Sequence, residues 1–316
     1  MKSSCHSQRL NRLPLKLVTR LTSGLAAFSL SMGMALPTLA ADPFRPNDSS
    51  HNIGEHTEDA FEAIFKEGNY DKAEGFLASA AESEADEPLV HAMLASMAYL
   101  KGEDGLPEVA SRAALTKETA QALVATDPLR GHLYTAVGIF LEGAHLLKTQ
   151  GVARGTPRAL GMLQEVFSEL DAAERINAED PELNLLKGYM DLMLAVNLPF
   201  SNPEAAITNM SEHGSPVYLT QRGIALGYRD LERYGDAISA VNRAITAAPD
   251  NPELFYLKAQ ILRRQGAKAD SLALFQRALD YAEQLPPDLV TRITWEQCAT
   301  EEVVPIEECS VRAGYS

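Results

Sequence analysis

The chain is poor in the residues that usually carry chemistry. It has three cysteines and one tryptophan in 316 residues, and aromatics make up 7 %. It contains no Gly-x-Ser-x-Gly elbow, no phosphate loop and no His-Glu-x-x-His helix. The common nucleophile, nucleotide and zinc-protease classes therefore have no sequence support. Sustained apolar–polar alternation is missing as well. Only residues 290–295 approach it, and they read as a strand or as a capping helix. No apolar run after residue 40 is suited to crossing a bilayer. The most apolar later stretch, 185–196, carries Lys187 and Asp191. What remains is rich in Ala and Leu, a composition that favours helix over sheet.

Acids are absent before Asp42, whereas Lys2, Arg9, Arg12, Lys16 and Arg20 are all basic. An apolar run from Gly24 to Leu36 follows, and then small residues up to Ala41. This order reads as a secretory signal peptide over 1–40, cleaved after Ala40 or Ala41. The alternative is a retained anchor, for which the run is short. Cys5 precedes the apolar run, so it is no lipoprotein acceptor. Arg9 and Arg12 are not adjacent, which points to the Sec route. The expected location is periplasmic or otherwise extracytoplasmic. The whole chain has 28 basic and 43 acidic residues, net −15. Without the five N-terminal bases the balance is 23 against 43, or −20. Such a surface repels nucleic acid and anionic membrane faces. Cys298 and Cys309 then remain, too few and too late for a nucleophile with a nearby base. In an oxidising compartment they read as a disulfide closing a 12-residue loop, a constraint that stabilises by roughly 3 kcal/mol. Two free buried thiols are the alternative.

Residues 41–56, with Pro43, Pro46, Asn47 and Gly54, read as a flexible linker. From Thr57, a good N-cap, the pattern is helical throughout. Loops are expected at 151–156, before a helix opened by Pro157, and at 197–202. Ala225, Tyr228, Ala237, Val241 and Ala244 recur 34 residues later as Ala259, Leu262, Ser271, Phe275 and Ala278. Gly68, Ala73, Leu77 and Ala80 have the same spacing as Gly266, Ser271, Phe275 and Ala278. A small residue lets two helix backbones approach, and the larger residue one turn on fills the groove beside it. Pro181-Glu182-Leu183 echoes Pro252-Glu253-Leu254, although Asp191 stands where a large apolar residue is expected.

This 34-residue pattern resembles the tetratricopeptide repeat (TPR) family, with Pro249 matching its terminal proline; the family's tryptophan is absent from the repeats. The resemblance implies an all-α fold, a right-handed α-solenoid of about six helical hairpins over 57–286. Residues 287–316 would form a C-terminal cap. With the leader and linker, the layout is similar to periplasmic TPR proteins of bacteria, cyanobacteria in particular. TPR proteins generally bind a protein or peptide segment in a concave groove, without catalysis or cofactor. Residues aligned with that face are Leu185, Tyr189, Leu192, Arg222, Leu226, Arg229, Tyr256, Gln260, Arg263 and Arg264. The arginines would offer planar donors to carboxylates, or else form a solvated helix face with i,i+4 pairs. Leu226 and Gln260 depart from the family's carboxylate clamp, so no clamp is expected.

Other candidates are weaker. Glu142, on an apolar helix, is the residue an envelope glycan hydrolase would use as a general acid; a solvated carboxylate is the plainer reading. His51, Glu55 and His56 lie in the linker with no obvious further ligand, so no metal is expected. His132 and His145 belong to no cluster. A self-associating structural subunit is a further alternative.

Overall fold

Several helix starts along the chain share one local signal, a polar residue followed by proline. Six helices begin at a proline: Pro88, Pro128, Pro181, Pro203, Pro252 and Pro287. The residue before it often caps the helix. Glu87, Asp127, Asn202 and Asn251 each accept a backbone N–H from the first turn. Proline suits this position because its missing N–H would have no partner there.

The computed structural model describes residues 42–45, 51–197 and 202–314. The expected signal segment 1–40 lies outside the described residues, as do 46–50 and most of the predicted loop at 197–202. The chain divides into Met1–Thr38 and a second unit, Leu39–Ser316, which holds all the helices described.

Helix α1 (Glu55–Phe61) continues as a π-helical segment, Glu62–Glu67, and pairs with α2 (Tyr70–Ser83). Five further hairpins follow. They are α3 (Pro88–Tyr99) with α4 (Leu106–Leu123), α5 (Pro128–Gln150) with α6 (Val152–Ile176), α7 (Pro181–Asn197) with α8 (Pro203–His213), α9 (Val217–Asp230) with α10 (Tyr234–Ala247), and α11 (Pro252–Gln265) with α12 (Lys268–Leu279). A 3-10 turn, Ala282–Gln284, leads to α13 (Pro287–Glu301) and α14 (Ile306–Ala313). The last two make a seventh hairpin, joined by a Cys298–Cys309 disulfide. No strand occurs among the described residues, and 290–295 are helical. The chain is therefore all-α, a helical solenoid of consecutive hairpins.

The 34-residue pattern marks the helix crossings. Ala225, Ala237, Ala244, Ala259, Ser271, Phe275 and Ala278 are all fully buried. So are Ala73, Leu77 and Ala80 in the first hairpin. Gly138 plays the same part at α4/α5, where a Cβ would lie 2.8 Å from the Lys117 backbone N. Small residues thus set the spacing along the whole stack.

The stack also closes on itself. Gly68 ends the first helical run at φ 65°, and a Cβ there would meet Asn251 Oδ1 at 2.7 Å. Asn251 Nδ2 donates to the Phe65 carbonyl at 3.0 Å, and the Tyr70 hydroxyl donates to Glu253 at 2.7 Å. The first hairpin therefore bonds to the start of α11, more than 180 residues away.

Several local expectations are corrected. The supposed linker is packed: Asp42, Phe44, Arg45 and Ile53 are buried, and Phe44 meets Phe61 edge-on. Phe44 and Ile53 supply the burial that a linker lacks. Thr57 is not an N-cap, because α1 begins at Glu55. Glu84, at the end of α2, caps α1 instead, accepting the His56 and Thr57 N–H groups and the Thr57 hydroxyl. Residues 152–156 are helical, since Gly151 at φ 74° turns the chain at once and Pro157 sits inside α6. The six hairpins expected over 57–286 are present as α1 to α12, and the C-terminal cap is itself a helical hairpin, α13 with α14.

Two substitutions test this packing. Ala259→Leu overfills a closed crossing and should lower stability by about 1–3 kcal/mol, read from urea unfolding. Gly68→Ala meets both a positive φ and Asn251. It should lower the midpoint and speed amide exchange in residues 55–83 more than in α9 and α10.

Candidate interaction surface

Buried carboxylates link α5 to α7, α9 to α11 and α11 to α13, each accepting from the earlier helix of the pair. Glu182, fully buried, accepts from the Tyr134 hydroxyl at 2.6 Å and Arg130 Nε at 3.1 Å. It also accepts from Arg45 Nη2 at 3.0 Å, tying the N-terminal segment to α7. Arg45 further grips Asp180 through two bonds of 2.8 and 2.7 Å and Asp42 at 2.8 Å. Arg130 reaches Glu87 through bonds of 3.0 and 2.8 Å. Burial by itself would lower both guanidinium pKa values, but the carboxylates around them outweigh it, Glu182 foremost, and hold both above the ordinary range.

The same device recurs at Glu253, which accepts from Tyr70 and pairs with Arg222. It recurs again at Glu296, which accepts from the Tyr256 hydroxyl at 2.7 Å and from Gln260 at 3.0 Å. Residues aligned with a binding groove are therefore largely spent on the fold. Leu185, Leu192 and Tyr256 are buried. Leu226 packs at the edge of the core. Tyr189 donates to the Leu219 carbonyl at 2.8 Å. Burial pushes its phenol up to about 12, with Arg222 pulling it down and Glu253 pushing it up.

The four arginines do not form a free positive patch. Arg222 is held by Glu253. Arg229 pairs with Asp230 at 2.9 Å and donates to Gln260 at 2.8 Å. Arg264 reaches Asp230 at 3.0 Å, and Arg263 lies 3.8 Å from Glu296. Helical phase alone does not reveal Glu253 and Glu296 as the partners of Arg222 and Arg263. The Pro-Glu-Leu echo was the available signal for Glu182 and Glu253. The last two arginines are the most accessible of the set, with side chains 35 % and 47 % exposed.

The remaining candidates have ordinary partners. Glu142 accepts two bonds from Lys117 at 2.7 and 2.8 Å. His51 pairs with Asp127, and His132 with Glu169 at 2.6 Å. No group of three or more metal-ligating side chains is found among the described residues, including around His51, Glu55 and His56. Asp191 is half-buried beside Lys187; burial raises its carboxyl, with Lys187 opposing and Glu174 adding. A cleft of about 990 Å³ opens where α3, α5 and α7 begin, lined by Arg45, His51, Glu84, Glu87, Asp127 and Asp180 among others. No helix among the described residues is long and apolar enough to cross a membrane.

Residues 222–288 match the model of the tetratricopeptide repeat family. The match runs from within α9 to the start of α13 and contains the best-spaced crossing residues. No curated protein matches the chain. Fold and repeat together define a helical-repeat protein, a class whose surfaces serve protein interaction.

The buried carboxylates make two predictions. Glu182→Gln leaves Arg45 and Arg130 short of charge and should cost about 3–5 kcal/mol in urea unfolding. At Asp127 burial pushes the carboxyl up, but the hydrogen bonds from His51 and the Arg130 N–H outweigh it and the net direction is down. A depressed carboxylate adds stability above its unfolded value, near 4. That stability is lost as pH falls through the folded value. Asp127→Asn should therefore flatten the acid limb of the stability curve while leaving its shape near neutrality alone.

Proposed function

We propose that the chain is a non-enzymatic scaffold that holds a protein or peptide segment outside the cytoplasm, after export by the Sec route. The observation that carries the binding reading is the pair Arg263–Arg264 at the end of α11. These planar donors lie inside the matched repeat stretch, with side chains 35 % and 47 % exposed. Arg263 meets Glu296 only at 3.8 Å, so it retains capacity for an incoming carboxylate. The segment best suited to this rim is extended and carries acidic side chains or a free C-terminus. Because Leu185, Leu192 and Tyr256 are buried, the deeper part of the aligned face acts as support. The leader pattern and the Cys298–Cys309 disulfide support an oxidising, extracytoplasmic setting. Nucleic acid and cofactors have no part in this reading.

Arg263→Glu/Arg264→Glu should weaken binding of acidic peptides about tenfold or more, measured by fluorescence anisotropy against a peptide panel. Circular dichroism should show unchanged helicity. Equal affinity of both forms for every peptide that binds would remove the rim from the proposal.

A further inference from the structure

Two separate surfaces of the stack, a turn within it and the last hairpin described, are opposite in charge, and both expose apolar side chains. The first is the turn between α5 and α6. No acid occurs between Glu142 and Glu165, a stretch that holds Lys148, Arg154 and Arg158. All three are exposed, and none pairs with an acid among the described residues. Val152 at the turn is 74 % exposed. The second is the last hairpin described, in which α14 packs on α13. Residues 301–314 carry four acids, Glu301, Glu302, Glu307 and Glu308, against one base, Arg312. Val303 and Val311 there are 78 % and 75 % exposed.

A net basic turn of about +3 on a chain of net −15 is out of keeping with the rest of the surface. Residues 301–314 are similar in size and opposite in sign, at about −3 by residue type, with Glu302 paired to Lys268 and Glu308 to Arg312. Desolvating a valine between such charges gives an apolar centre with a polar rim, the arrangement of protein interfaces. Opposite charges at the rim steer the encounter and fix its register.

We propose that copies of this chain associate head to tail, the α5–α6 turn of one docking on the α13–α14 hairpin of the next. The two surfaces are different patches, so the contact is heterologous. It builds open chains, or rings where the rotation closes. The residues involved are distinct from the Arg263–Arg264 rim, so either reading can fail without the other.

Sedimentation velocity on the purified chain over a concentration series tests this. At low salt the mean mass should rise with concentration, and added salt should reverse the rise. Arg154→Glu/Arg158→Glu and Glu307→Lys/Glu308→Lys should each weaken association about tenfold or more. Mixing the two variants should restore it, since each then offers the sign the other lacks. Matching helicity of all forms excludes misfolding as the cause. A chain that stays monomeric at low salt overturns the proposal, as does association that survives both reversals. Monomers that co-float with phosphatidylglycerol-containing vesicles through Arg154 and Arg158 overturn it in favour of a membrane surface.

Discussion

The fold turns on one carboxylate. Glu182 is fully buried at the start of α7, and a buried charge is tolerable only when its partners are complete. Arg45, Arg130 and Tyr134 complete it, and they come from the N-terminal segment and α5. Three parts of the chain must therefore be in place together. Apolar contact alone would let these elements slide, whereas fixed hydrogen-bond directions do not. Glu253 and Glu296 repeat the arrangement at α11 and α13 with Tyr70, Arg222, Tyr256 and Gln260. Inner helices are thus keyed to one another by polar contacts laid over a small-residue core.

This keying shapes what the surface can offer. A solenoid whose inner face was fully open would present all of its inner side chains to a ligand. Here the first hairpin bonds to the start of α11, and Phe44 and Arg45 are packed inside. The interior holds the molecule together. Accessible polar groups are left at the rim of α11, in the cleft where α3, α5 and α7 begin, at the α5–α6 turn and on the last hairpin.

Much of the frame was legible from the chain. Ala259, Ser271, Phe275 and Ala278 betray helix crossings because only close packing requires that alternation of small and large residues. Gly68 and Gly266 mark left-handed helix ends, as their spacing relative to those residues suggests. Residues 42–56 misled because Pro, Asn, Ser and Gly dominate them locally, while the burial of Phe44 and Ile53 depends on helices far along the chain. Arg222 and Arg229 misled for a related reason. Helical phase gives the face a side chain occupies but not the acid that waits on the neighbouring helix.

What the sequence by itself determined is periodic and local: helix, hairpin, crossing residue, and the nearby cysteine pair. Each depends on residues within about one repeat, where spacing and propensity suffice. What only the tertiary structure decided is which charges meet. Arg45 and Glu182 are 137 positions apart, and Tyr70 and Glu253 are 183 apart. Contacts of that range depend on how many hairpins intervene and how far each turns the stack, and no short window of sequence records that sum.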